Sequence, residues 1–280
     1  MTARGPDPTA MTRAGEAPGP SRHPLLRLEN TTRDKLAAGG STRGLFLVSA
    51  SPIVAEACST LPIDWVIVDM EASPLSHEGL LHVLQALTGT PVTPFVRVRG
   101  LEHHRIEQVL DLGAHGILAP KVEDAAMAQR VAAACRYPPA GARGINPVRA
   151  SAYFTDVATY LREANRFVLA MVQIESARAV ENAGAIAAVA GVDVLFIGCG
   201  DLACSLGHPG VMTGPGMDHA RAEVLAACAA AGKVPGIFAY GVELARQYAA
   251  EGFRFIAIGN DLQGLRDGIQ ARLQGIGSVL

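Results

Sequence analysis

DWVIVDMEASPLSHEG, residues 64–79, holds the fold in miniature. Trp65 to Val68 form an uninterrupted apolar run with no polar alternation. A strand of that kind is covered on both faces, as parallel strands between helices are. It runs into two carboxylates, Asp69 and Glu71, and then into a helical pattern that starts near His77. Buried strand, polar loop and helix make one βα unit. Carboxylates at the end of a buried strand are costly unless they are paired, bind a metal or work as acid/base groups.

The same unit recurs along the chain. Apolar runs at 44–50, 64–70, 93–99, 116–122, 167–175, 192–200, 234–240 and 253–259 alternate with helical stretches such as EHHRIEQVLDLG and EDAAMAQRVAAACR. Eight such repeats predict a (β/α)8 TIM barrel. A doubly wound sheet is the competing fold, but no GxGxxG follows the first strand. Residues 29–40 predict a helix capping the barrel bottom, and residues 29–280 make one barrel domain. Residues 1–28 are rich in Pro, Gly, Ala and Arg without an apolar segment, so they predict a disordered tail and not a secretory signal, with Met11 as an alternative start. The connection from Arg136 to Phe167 is long for a compact domain. It carries Arg143 and Arg149 and a helix-forming segment, DVATYLREAN.

Bulk properties narrow the function. Apolar residues make up 49% of the chain and charged residues 18%, with a formal net charge of −2. That balance gives no electrostatic reason to expect nucleic acid or an anionic membrane as partner. The longest apolar runs are strand-sized, too short to span a bilayer. The five cysteines are scattered without a CxxC pair, which fits a reduced, cytoplasmic protein.

Chemistry in such a barrel sits at the C-terminal ends of the strands. Read in order, those ends offer Ser49 and Ser51, Asp69 and Glu71, Arg97 and Arg99, Lys121, Gln173 and Glu175, Gly198, Gly200 and Asp201, and Asn260 with Asp261. Glu175 and Asp201 fall at the same height on adjacent strands. Two carboxylates with water suit a hard divalent cation; both residues also stand where helix N-caps fall. Arg97 has two readings, a bidentate clamp on a substrate carboxylate or an ion pair with Asp69 or Glu71. Cys199 and Cys204 flank Asp201 and read as buried small residues. His77, His103 and His104 lie on the catalytic side and are candidates for substrate contact.

At this level of detail DWVIVDMEASP, PFVRV, QVLDLGAHGILAPKV, RYPPAGARGIN, MVQIES and VDVLFIGCGDLACSLG resemble, in order, the motifs of the HpcH/HpaI aldolases. These are class II, metal-dependent enzymes that make or break carbon–carbon bonds through a pyruvate enolate. The resemblance runs from about residue 44 to 262. It implies Glu175 and Asp201 as ligands of Mg2+, Mn2+ or Co2+, and Arg97 as the group holding the 2-oxo acid. Gln173, Gly198 and Gly200 would line the pocket, with Asp69, Glu71 and Asp111 as further site carboxylates. It also implies a hexamer built of dimers that exchange the last helix.

One position departs from the pattern. The family motif D-x-E-H ends on a catalytic histidine, and here that position is Ala72. His77, five positions on, is the candidate to reach back, with His103, Glu71 and water as alternatives. The expected activity is therefore an aldolase-type lyase acting on a 2-oxo acid and an aldehyde. The runner-up is a citrate-synthase-like condensation of oxaloacetate with acetyl-CoA, as in siderophore biosynthesis, with Arg143 and Arg149 on the CoA phosphates. A non-catalytic binding or scaffold barrel is the third reading.

Overall fold

The structure, a computed structural model, describes residues 25–276. Its elements run α1 (Thr31–Ala37), β1 (Thr42–Leu47), α2 (Pro52–Ser59), β2 (Trp65–Asp69), α3 (His77–Ala86), β3 (Thr93–Arg97), α4 (His103–Asp111), β4 (Gly116–Ala119) and α5 (Ala125–Cys135). They continue α6 (Val157–Phe167), β5 (Leu169–Ile174), α7 (Ala177–Glu181), α8 (Ala183–Ala187), β6 (Val194–Ile197), α9 (Cys199–Ser205), α10 (Pro215–Ala231), β7 (Val234–Phe238), α11 (Val242–Glu251), β8 (Phe255–Asn260) and α12 (Asp261–Ile276). The eight strands are all parallel and close in order, β1 against β8. All eight expected runs supply a strand. Phe167 is the exception at an edge: it ends α6, whose N-cap Asp156 accepts from the Thr159 N–H at 3.0 Å.

Strand periodicity explains why these runs are apolar throughout. Trp65 and Ile67 point into the barrel with Phe46, Phe95, Leu118, Met171, Phe196 and Phe255. Val66 and Val68 point outward into the layer beneath the helices. Both faces of each strand are covered, so neither has room for a polar residue. Trp65 stacks on Phe255 at 4.0 Å between centroids, and its indole N–H donates to Thr42 Oγ1 at 3.1 Å. Gly44 makes room for that ring: a Cβ there would lie 2.3 Å from the indole.

α1 sits under the barrel as expected, with Leu36 plugging the interior cluster. The packed chain begins earlier than the expected boundary at 28. Leu26 is buried and Arg27 donates to the Val92 carbonyl at 2.9 Å. The rest of the expected tail, residues 1–24, lies outside the described residues.

At the other end, α12 turns away from its own barrel. Asp261 is its one buried residue, and that carboxylate ties β8 to β1 by accepting from the Val48 and Ser49 N–H groups at 2.9 and 3.2 Å.

Candidate active site

Extending the inward alternation by one residue per strand builds the site. After Phe46 comes Val48; after Ile67, Asp69; after Phe95, Arg97; after Met171, Gln173; after Phe196, Gly198; after Phe238, Tyr240. These six line one cavity of about 300 Å³ at the C-terminal mouth of the barrel, together with Ala72, Gly200, Asp201 and Asn260. Phe46, Phe196 and Phe238 form its floor, with Phe46 and Phe238 edge-to-face at 5.4 Å.

Asp69 is fully buried and takes a forked pair from Arg97, Nε at 2.9 Å and Nη2 at 2.6 Å. Its Oδ1 also accepts the N–H groups of Glu71 and Ala72 at 3.0 and 3.2 Å. Glu71 holds Arg97 Nη1 at 3.1 Å and stands 3.7 Å from Lys121 Nζ at the rim. The ion-pair reading of Arg97 is therefore realised, and the clamp reading survives beside it. Each Nη retains an N–H beyond those engaged, and the guanidinium lies over the Phe46 ring at 5.3 Å, facing the cavity.

Glu175 stands across from this pair. Its Oε1 accepts the Lys121 N–H at 2.7 Å, presented by a left-handed backbone at Lys121 (φ 55°). A non-glycine residue in that region costs about 1 kcal/mol, so the surroundings must hold the turn. Glu175 Oε2 is buried with no hydrogen-bond partner, as is Gln173 Oε1 beside it. Burial, with the nearby charges of Asp201 and Glu71, pushes the Glu175 carboxyl up to about 7. Gly198 keeps the space between these groups open: a Cβ there would sit 2.4 Å from Gln173 Nε2 and 2.6 Å from Glu175 Oε2.

Neither Glu175 nor Asp201 serves as an N-cap. Ser176 caps α7, accepting from Ala179 N–H at 3.0 Å, and Gly198 holds the cap position of α9. Asp201 lies in the first turn of α9, and its carboxylate makes no hydrogen bond or ion pair among the described residues. No cluster of three or more His, Cys, Asp or Glu stands ready for a metal among those residues. The donor set for a cation is thus two carboxylates, one with an orphaned oxygen, beside an amide oxygen that is also orphaned. That is an all-oxygen set suited to a hard divalent ion completed by water or substrate. The Cys199 thiol is buried, donates to the Phe238 carbonyl at 3.4 Å and is pushed up to about 12 by burial, so it adds no soft ligand.

Several expected site residues lie elsewhere. His77 opens α3 and lines an outer groove with Glu78, Leu81 and Gln108, outside the cavity. The loop leading to it is held by Arg99, which donates to the Met70 and Leu75 carbonyls at 2.7 and 2.6 Å. Asp111 is the last residue of α4, and a helix following a strand runs back toward the barrel bottom. There it pairs with Arg143 Nη2 at 2.6 Å. Arg143 is fully buried, donates also to Tyr160 and stacks on Tyr137 at 4.6 Å. Arg149 donates to the Leu112 and Leu84 carbonyls and to Thr88. Both arginines are structural, which removes them as contacts for CoA phosphates. His103 pairs with Glu107 at 2.9 Å and lies outside the cavity. Tyr240 is the cavity residue that sequence reading missed, although the inward alternation of the seventh run ends on it.

A family model described as HpcH/HpaI aldolase/citrate lyase matches residues 42–267. The hydroxypyruvate/pyruvate aldolase of Deinococcus radiodurans is 41% identical over 84% of this chain and 85% of its own. A crystal structure of an HpcH/HpaI aldolase/citrate lyase family protein from Burkholderia cenocepacia J2315 is 36% identical. It superimposes with a TM-score of 0.86 over 89% of this chain and 100% of that one. The crystal structure of the citrate synthase SbnG is 26% identical, with a TM-score of 0.79 over 89% of this chain and 97% of that one.

Proposed function

The chain belongs to the HpcH/HpaI aldolase/citrate lyase family, and from that premise we propose that it is a carbon–carbon lyase making or cleaving a bond to the methyl carbon of a pyruvate-type 2-oxo acid. The observation that carries this reading is the cavity itself. It joins a cationic Arg97, an amide at Gln173, a carboxylate at Asp201 and a gap over Gly198 with no side chain in it, and the unpartnered Glu175 Oε2 lies beside that gap.

In this reading Arg97 binds the carboxylate or oxo group of the 2-oxo acid with its remaining N–H groups, and Asp69 fixes the guanidinium in position. Its positive charge stabilises oxygen as the enolate develops. Glu175 and Asp201, with Gln173 beside them, would hold Mg2+, Mn2+ or Co2+. Such an ion, when bound, acts as a Lewis acid toward the substrate oxygens. Gly198 leaves space for the substrate's carboxyl end, and the aromatic floor excludes water. Ala72 offers no base, so Glu71 at the rim, linked to both Arg97 and Lys121, is assigned the proton transfer with water.

The likeness to SbnG supports the condensation of oxaloacetate with acetyl-CoA as the second reading. It would need CoA contacts other than Arg143 and Arg149.

The assembly reading rests on α12. Leu262, Leu265, Ile269, Leu273 and Ile276 are all exposed, at helical spacing. Beside the start of α12 a groove of about 650 Å³ is lined by Val242, Ala245, Ile256 and Ile258 of α11 and β8, with Val242 and Ile258 exposed. A second copy's α12 laid there would cover both apolar faces, as in an exchanged dimer. Deletion of residues 262–276 should then convert the oligomer to monomer in light scattering; an unchanged mass rejects the exchange. No helix among the described residues is long and apolar enough to cross a membrane.

The deciding experiment is proton NMR of pyruvate in D2O with cation-loaded wild type, Glu175→Gln and Ala72→His. Cation-dependent loss of the methyl signal in wild type, abolished in Glu175→Gln, supports the lyase reading. Exchange in Ala72→His alone identifies the missing histidine as the broken part and moves the assay to oxaloacetate with acetyl-CoA. Exchange in none of the three favours a binding role.

A further inference from the structure

We infer that the acceptor aldehyde binds against the β7–β8 wall of the cavity, that this wall selects an uncharged acceptor, and that the Tyr240 hydroxyl donates a hydrogen bond to its carbonyl oxygen. The inference rests on the lyase reading above and assigns the half of the site that reading leaves open. The cavity is divided by charge. Asp69, Arg97, Gln173 and Asp201 stand on β2, β3, β5 and just beyond β6, while Val48, Phe238, Tyr240 and Asn260 on the β1, β7 and β8 side carry none. The 2-oxo acid belongs on the charged side with Arg97, so the acceptor meets the other.

Tyr240 is built to face it. Its ring rests on Phe238 at 4.7 Å between centroids. Its hydroxyl lies beside Gly200, 3.4 Å from where a Cβ there would be, and both residues line the cavity. That hydroxyl makes no hydrogen bond among the described residues. Asn260, which also lines the cavity, accepts the Gln263 N–H on Oδ1 at 2.9 Å, and its amide N–H groups make no hydrogen bond among the described residues. Two neutral donors on an aromatic wall suit an aldehyde bearing hydroxyl groups.

A phosphate or carboxylate on the acceptor would lack a partner. Beyond its pairs with Asp69 and Glu71, the remaining N–H groups of Arg97 are taken by the 2-oxo acid, and Lys121 at the rim stands beside Glu71. Asp201, on the cavity edge, repels a second anion. In the addition direction, the pyruvate methyl carbon, as enolate, bonds to the aldehyde carbon. The carbonyl π pair moves onto oxygen, which takes its proton from water. Tyr240 keeps its own proton and lends the hydrogen bond that steadies the oxygen as charge gathers there.

The test uses cation-loaded protein in its native assembly, with pyruvate and either glyceraldehyde or glyceraldehyde 3-phosphate, alongside pyruvate methyl exchange in D2O without aldehyde. Wild type should favour the neutral aldehyde by about tenfold or more in kcat/KM. Tyr240→Phe should lower carbon–carbon bond formation by about 100-fold while methyl exchange stays within about twofold, which also shows the variant is folded. Equal or better use of the phosphorylated aldehyde overturns the neutral wall. Condensation unaffected by Tyr240→Phe, or exchange lost in parallel with it, overturns the hydrogen-bond role. A wild type that neither exchanges nor condenses overturns the lyase reading, and the acceptor assignment with it.

Discussion

Asp69→Asn tests whether the strand-2 carboxylate braces the site. Asp69 Oδ1 accepts from Arg97 Nε and from the N–H groups of Glu71 and Ala72, while Oδ2 accepts from Arg97 Nη2 at 2.6 Å. Asparagine retains the first set and turns Oδ2 into an NH2 group. A donor then faces a donor, and Arg97 is left with Glu71 as its one carboxylate partner. Breaking a buried pair costs ~3–5 kcal/mol, and because three of the four contacts persist the lower end applies. In a barrel of this size ~1 kcal/mol moves Tm by ~2–4 °C, so the expected fall is ~6–12 °C by calorimetry. KM for pyruvate in the exchange assay should rise with it, since Arg97 no longer holds its position. Glu71→Gln is the control: its pair is partly exposed, and ~1 kcal/mol or less is at stake. A Tm shift below about 2 °C in Asp69→Asn would refute the bracing argument.

Other outcomes follow from the same geometry. Gly198→Ala puts a methyl 2.6 Å from Glu175 Oε2, and Mn2+ affinity by calorimetric titration should fall by about tenfold or more; retained affinity would place the cation elsewhere. Glu175 is raised from 4.5 to about 7 in the fold, so its contribution is fully present below 4.5 and is lost as pH rises through 7. Cation-free protein should therefore lose Tm between pH 5 and 8, and Glu175→Gln should flatten that slope. His115 behaves oppositely. Burial, reinforced by Arg27, lowers it from 6.5 to about 3, so its contribution is present above 6.5 and lost as pH falls toward 3. Each pH unit within that window removes up to ~1.4 kcal/mol, a loss that His115→Gln should abolish in acid denaturation curves.

The barrel was legible because its strands are covered on both faces. That forces runs such as Trp65–Val68 and Leu169–Val172, which stand out against helices with one apolar side. Glu175, Asp201, Gln173, Gly198 and Arg97 were legible too, since each stands at or just past the C-terminal end of its strand, where a barrel opens. Asp111 was not: helix direction carries it to the opposite end, and a motif match along the chain does not record which end that is. His77 failed for a different reason. Arg99 holds the loop before it through two backbone carbonyls, a contact between the loops after β2 and β3 that no local pattern encodes. Tyr240 escaped because its run reads as apolar to the end, and a tyrosine there looks like more core.

The departure of α12 also bears on how the protein survives dilution. With its apolar stripe on the outside and the groove by β8 uncovered, one chain leaves unburied two surfaces that the proposed exchange would cover. Stability in that assembly becomes a matter of mass action, with each tenfold dilution removing on the order of 1.4 kcal/mol. Tm should climb with protein concentration, and activity lost in dilute assay should return on concentrating the sample.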